Sequence, residues 1–199
     1  NVLTGFKWIA DQIHQYETGK ADHTFMFGFE ESYGYLIKPF VRDKDAIQSL
    51  TLLAEVAAYY RSCNMTLYDG LQELFKKYGY FREKTIANTY AGVDGPAKIK
   101  ALMKKFREEA PTHFAGHQVV VTEDFANGTK TTADGEVSEL GIPESNVLRY
   151  ILDDDTWIAI RPSGTEPKLK FYIGTSADTL DKANEKLADF EKALQEFAE

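Results

Sequence analysis

Arg161, Ser163, Gly164 and Thr165 fall in one short stretch, flanked by Pro162 and Pro167. Together they form a set suited to holding a phosphate. A guanidinium gives two parallel charge-assisted hydrogen bonds to phosphate oxygens. The Ser and Thr hydroxyls add neutral donors. Gly164 lets the backbone turn sharply, so that amide N–H groups can converge on one concavity. The two prolines stiffen the approach and the exit, which lowers the entropy lost on binding. Lys170 lies two residues past Lys168, on the same face of an extended strand, and could bring a second positive charge. Spacing alone also allows an ordinary Pro/Gly turn with a surface Arg.

A second group stands far upstream. Glu30 and Ser32 suit hydroxyl recognition, because a carboxylate accepts from two vicinal hydroxyls and a Ser hydroxyl gives or accepts. The competing reading is a surface acidic turn after a strand, with Glu31 serving the scaffold. The histidines His14, His23, His113 and His117 have no compelling metal spacing and read as surface or structural residues. No motif supports Ser-His-Asp hydrolysis.

These residues need elements to hold them. Phe6, Ile9, Ile13 and Tyr16 recur at helical spacing and predict a helix over about 5–17. Thr4 stands where a helix cap would be. The apolar, aromatic run 23–29 reads as a buried strand that delivers Glu30 and Ser32 at its C-terminal end, where α/β sheets carry their ligands. A long, mostly apolar helix is expected over 45–61. A second is capped by Thr66, runs to Lys77 and is ended by Gly79. Asn88, Gly92, Gly95 and Pro96 mark a linker over about 84–95, and Pro96 opens a helix to about Glu109.

Short strands follow. Residues 118–122 and a partner near 124–132 are expected to meet around a turn at Glu123–Asp124, with Asn127–Gly128 as a second turn signal. Residues 147–152 and 156–161 flank a turn at Asp153–Asp155, and 168–175 alternates as a strand. Leu180, Ala183, Leu187, Phe190, Leu194 and Phe197 mark an amphipathic helix. Its expected partner is its own sheet, with coiled-coil pairing as the alternative.

Composition bounds the function classes. The chain has 199 residues, formal net charge −8, and enough length to bury a core. An acidic chain without a basic run excludes nucleic acid and an anionic membrane surface as natural partners. No apolar run approaches the ~20 residues of a membrane span. Cys63 is the only cysteine, which rules out an internal disulfide and fits a reducing, cytoplasmic setting.

The residues also carry a family resemblance. Arg161-Pro-Ser-Gly-Thr-Glu-Pro-Lys168 is similar to the C-terminal phosphate-binding loop of the α-D-phosphohexomutases, the phosphoglucomutase/phosphomannomutase enzymes. Gly28-Phe-Glu-Glu-Ser32 resembles their sugar-binding loop, Thr4-Gly-Phe-Lys7 their Thr-Gly-x-Lys loop, and Arg42-Asp-Lys-Asp45 the charged segment after the sugar loop. Four motifs in the family's order cover nearly the whole chain.

The resemblance implies a fold. It is an α/β remnant of domain 3 over 1–87, then an α+β, TBP-like domain 4 over 88–199. The latter would have an antiparallel sheet of about four strands with helices on one face. It implies roles as well. Glu30 and Ser32 would hold the O3 and O4 hydroxyls of a hexose, which leaves glucose and mannose undistinguished. Thr4 and Gly5 would lie near the sugar ring, with Lys7 in the same loop. Lys44 would be the tentative catalytic cation near the reacting phosphate, against the rival reading of a solvated charge cluster. Arg161, Ser163, Gly164, Thr165 and Lys170 would bind the phosphate that is not transferred.

The family reaction moves a phosphoryl group between C1 and C6 through a glucose 1,6-bisphosphate-type intermediate. It uses a phosphoserine and a Mg2+ held by an Asp-x-Asp-x-Asp loop, and neither loop occurs in these residues. The chain starts at Asn1, two residues before a motif, and is expected to be truncated there. The expected partners are a hexose phosphate and missing N-terminal domains of the same protein, and the isolated chain is expected to be inactive. A freestanding sugar-phosphate binding or regulatory module, and an interaction domain using the terminal helix, are the other readings.

Overall fold

The computed structural model describes residues 2–30 and 32–198, so Glu31 lies outside the described residues. The chain divides into two compact units, Asn1–Glu73 and Leu74–Glu199.

The first unit holds α1 (Phe6–Glu17), β1 (Gly28–Phe29), β2 (Tyr35–Leu36), α2 (Ala46–Ser62) and the start of α3 (Leu67–Tyr78). Phe6 and Ile13 turn the apolar stripe of α1 onto Leu36, with Ile9 and Phe25 packed around them. Gly5, not Thr4, is the N-cap of α1, and no side chain caps it, so the expected Thr4 cap does not form. Asp45 caps α2 by accepting from the amides of Ile47 and Gln48. Thr66 and Asp69 form a reciprocal capping pair at the start of α3, and Gly79 closes that helix at φ 102°.

The buried strand expected over 23–29 shrinks to Gly28–Phe29, and Met26 and Phe29 are exposed. A strand needs a partner for its backbone, and among the described residues β1 finds only the two-residue β2. α2 forms as expected but buries none of its residues, and Ile47 and Leu50 are 75% and 62% exposed.

The second unit is an antiparallel sheet under two helices. Its strands are β3 (Tyr80–Thr89), β4 (His113–Phe114), β5 (His117–Asp124), β6 (Thr129–Thr132), β7 (Val137–Glu139), β8 (Leu148–Leu152), β9 (Trp157–Pro162) and β10 (Lys168–Ala177). The order is β3-β10-β9-β8-β5-β6-β7, with β4 paired to β5. The helices are α4 (Gly95–Glu108) and α5 (Leu180–Ala198). Leu148, Tyr150, Leu152, Ile158, Ile160, Leu169, Phe171 and Ile173 point to one face at period 2 and are fully buried. Ile99, Met103 and Phe106 of α4 and Phe190 and Leu194 of α5 close that face. Each such side chain contributes roughly 1.5–3 kcal/mol on burial. The terminal helix therefore packs on its own sheet.

Two expectations fail here for physical reasons. The linker expected over 84–95 is strand as far as Thr89. β3 pairs with β10 along its whole length, from Tyr80↔Ala177 to Thr89↔Lys168. It is an edge strand, where charge is tolerated and protects against stray pairing. Arg82 and Lys84 reach out to Asn184 and Glu191 of α5 instead of entering a core, so the apolar alternation is weak. The sheet consequently has more strands than the four expected.

The second failure is the turn expected at Glu123–Asp124. Both residues lie in β5, and the chain turns after them. Asp124 is buried because Arg107 donates to it at 3.1 Å, and the Ala126 amide and the Asn127 amide group donate as well. Its carboxylate organises the turn that follows.

The turn at Asp153–Asp155 forms as expected, with Asp155 at φ 62°. The Lys186 ammonium lies 2.6 Å from Asp154 and also donates to the Ser176 carbonyl, fastening α5 to the sheet end. Burial raises the Asp154 pKa, but hydrogen bonds from Lys186 and Thr156 outweigh it and hold the carboxyl below the ordinary aspartate value. A depressed carboxylate stabilises the fold above its unfolded pKa and loses that contribution as pH falls through its folded pKa.

Asp154→Asn is accordingly expected to be less stable than the parent near pH 7 by about 1–3 kcal/mol. The gap should close as pH drops below ~4, as read by urea denaturation across a pH series. A second prediction concerns Gly174, over which the Trp157 indole lies so closely that a Cβ would stand 2.3 Å from the ring. Gly174→Ala should cost roughly 1–3 kcal/mol in the same assay, and less when Trp157 is also Ala.

Candidate functional site

In the first unit a tight turn joins β1 to β2, closed by the Glu30 amide donating to the Gly34 carbonyl at 2.9 Å. Ser32 and Tyr33 are exposed on this turn, and Tyr33 takes φ 65°. The Glu30 side chain is only 13% exposed, and the Lys44 ammonium stands 3.7 Å from its carboxylate. Gly34 makes this approach possible, because a Cβ there would lie 2.1 Å from Lys44 Cδ.

In the charged segment 42–45, Arg42, Asp43 and Lys44 are exposed, and each residue has a polar partner. Arg42 pairs with Glu17 at the end of α1, and Asp45 caps α2. Asp43 accepts from the Lys44 ammonium at 2.7 Å. That bond raises the Lys44 pKa above the ordinary lysine value, with Glu30 adding a smaller effect, so the ammonium stays charged. Lys44 also lies over the Phe6 ring at 5.2 Å. Thr4 is exposed, Gly5 opens α1, and Lys7 lies over the Trp8 ring at 4.9 Å. Structure thus brings Glu30 and Lys44 together, a juxtaposition that thirteen intervening residues hide in the sequence.

In the second unit the loop from Ser163 to Pro167 joins β9 to β10. The Ser163 amide donates to the Lys168 carbonyl at 2.8 Å, and the Lys168 amide donates to Glu166 at 2.7 Å. Arg161 and Lys170 are directly opposed across the two strands. Ile160 and Leu169 point into the core, so alternation sends Arg161, Lys170 and Tyr172 to the other, helix-free face. There the Arg161 guanidinium donates to the Tyr172 hydroxyl at 3.3 Å, and its carbon lies 6.0 Å from the ring centroid. Arg161 Nε is buried without a hydrogen-bond partner. Glu166 is held below the ordinary glutamate pKa, first by the hydrogen bond from Lys168 and in smaller part by Lys170. The loop and its flanks therefore carry three cations against one carboxylate.

Ser163, Gly164 and Thr165 have a second aspect. They line a cleft of about 980 Å³ whose other wall is α4, with Lys100, Lys104 and Arg107. Neither Arg161 nor Lys170 lines it. Sequence reasoning missed these α4 cations, because only the sheet and helix packing brings them to the loop. Two are already engaged, Arg107 by Asp124 and Lys104 by Glu108 at 3.6 Å.

One grouping of potential metal ligands occurs among the described residues. His117 Nδ1 stands 2.9 Å from Asp153 and 3.4 Å from Asp154. It does not suit the Mg2+ of the resemblance, which needs oxygen ligands in near-octahedral array. Asp154 already receives Lys186 and both donors of Thr156, so an ammonium takes up the charge a metal would need.

Residues 1–78 match the family model of phosphoglucomutase/phosphomannomutase, alpha/beta/alpha domain III, and residues 93–194 that of its C-terminal domain. A phosphoglucomutase of Staphylococcus epidermidis is 43% identical over 189 residues, covering 94% of this chain and 34% of that protein. One from Staphylococcus aureus is 40% identical over 188 residues, with 94% and 33% covered. The chain spans about a third of the length of the curated relatives it matches. Among solved structures, the exocytosis-sensitive phosphoprotein pp63/parafusin, a phosphoglucomutase from Paramecium in its open form, superposes with TM-score 0.63. That match covers 98% of this chain and 32% of that one at 18% identity, which bears on the fold alone. With two family domains matched in order, on a fold of the same kind, the chain belongs to the phosphoglucomutase/phosphomannomutase family, of which it carries the C-terminal part.

Proposed function

We propose that this chain is the part of a hexose phosphomutase that holds the sugar hydroxyls and the phosphate not being transferred. The whole protein would interconvert hexose 1-phosphate and hexose 6-phosphate through a bisphosphorylated intermediate of the glucose 1,6-bisphosphate type. The observation that carries this reading is the opposition of Arg161 and Lys170 across β9 and β10, at the mouth of the Ser163–Thr165 loop. Two opposed cations beside neutral donors suit a compact dianion in a protein whose net charge is −8.

In this reading Arg161 and Lys170 grip phosphate oxygens, and Ser163, Thr165 and the loop amides complete the cradle. Glu30 accepts from adjacent sugar hydroxyls, with Ser32 beside it on the same turn. Lys44 holds its charge near Glu30 and is the cation offered to the reacting phosphate. Thr4 and Gly5 lie against the ring. Domain roles then divide as sugar recognition in the first unit and phosphate recognition in the second.

The phosphoserine and the Mg2+ loop of such an enzyme would belong to sequence outside these 199 residues, and its setting would be the cytoplasm. What this chain supplies is orientation, which can lower a barrier by several kcal/mol when the reacting groups are held in line.

The test is binding without turnover. Glucose 6-phosphate and mannose 6-phosphate should bind the chain, and Arg161→Ala should weaken both about ten-fold or more. Glu30→Gln should weaken the sugar phosphates but leave inorganic phosphate unchanged. With glucose 1-phosphate, Mg2+ and glucose 1,6-bisphosphate supplied, the chain should form no glucose 6-phosphate in a coupled assay. Turnover by the purified chain would overturn the division of labour, and unchanged affinity in Arg161→Ala would overturn the phosphate assignment.

A further inference from the structure

We infer that Tyr172 is a positioning residue for the phosphate site: its hydroxyl and ring hold the Arg161 guanidinium on the helix-free face of the sheet, beside Lys170. This rests on the reading that Arg161 grips a phosphate, and adds what keeps that side chain in place. An arginine side chain has many rotamers, and an anion must wait for a productive one unless something selects it.

Three observations select Tyr172. It stands on β10 two residues beyond Lys170, so the pleat puts both on the face of Arg161. Its hydroxyl accepts from Arg161 Nη2 at 3.3 Å, the hydrogen bond that fixes this side chain among the described residues. Its ring lies within cation–π range of the guanidinium, at 6.0 Å. The buried Arg161 Nε makes no hydrogen bond, so that atom does not hold the side chain in place. Contact through Nη2, with Nε buried, leaves Nη1 to receive an anion. The phosphate is thereby placed beside the opposed Arg161 and Lys170, next to the Ser163–Thr165 loop.

Inorganic phosphate and glucose 6-phosphate, titrated into the 199-residue chain by NMR, decide the matter. Tyr172→Phe keeps the ring and removes the acceptor, and should weaken both ligands about three- to ten-fold with the melting temperature near that of the parent. Tyr172→Leu removes the ring as well and should weaken them further. In an Arg161→Ala background, Tyr172→Phe should cause no additional loss, because its effect runs through the guanidinium. An equal loss in both backgrounds would make Tyr172 a structural residue and overturn the inference. So would unchanged affinity in Tyr172→Phe alongside clear weakening in Arg161→Ala, an outcome that leaves the phosphate reading standing. If Arg161→Ala itself binds like the parent, the phosphate reading fails and the inference falls with it.

Discussion

The pairing of β9 with β10 is the constraint on which the second unit depends. Ile158 and Ile160 on one strand and Leu169, Phe171 and Ile173 on the other are fully buried under α4 and α5. A strand has period 2, so once those five are committed to the core, their neighbours have no choice of face. Arg161, Lys170 and Tyr172 emerge together because the core demands it. A one-residue slip would bury two cations and expose the isoleucines, a cost far beyond any local preference. The proposed phosphate site at this sheet is thus registered by hydrophobic burial, and the stiff loop between the strands only closes the gap.

The first unit solves a similar problem with less core. Phe6, Ile13 and Leu36 are its buried cluster, and its sheet is two residues deep on each strand. Order in the site therefore comes from polar bonds of short reach. Asp45 caps α2, Asp43 and Glu30 share Lys44, and Gly34 leaves the room for that lysine to cross. Such contacts are individually weak near the surface. The exposed apolar side chains of α2 are the complement of this small core.

Legibility followed the source of each feature's stability. α1, α4 and α5 were legible from their apolar stripes and α3 from its Thr66 and Gly79 caps, which are local properties of near residues. β8, β9 and β10 were legible because alternation survives where one face is buried. β3 was not, since its charged residues answer to α5 across a gap of about a hundred positions. The strand over 23–29 was over-read for the opposite reason, aromatic content without enough backbone partners. Asp124 looked like a turn residue and proved to be the buried anchor of Arg107.

By itself the sequence determined the polar groups: Arg161, Ser163, Thr165 and Lys170 in one segment, Glu30 and Ser32 in another, with the loop stiffened by Pro162 and Pro167 and turned at Gly164. Those follow from residue type and near spacing, which folding does not alter. Only the tertiary structure decided which of them meet. It set Lys170 opposite Arg161, gave that arginine to Tyr172, brought Lys44 to Glu30, and turned Ser163–Thr165 toward cations of α4. Each of these depends on strand register or helix packing, and register is chosen by the burial of the whole core, to which distant residues contribute as much as neighbours do.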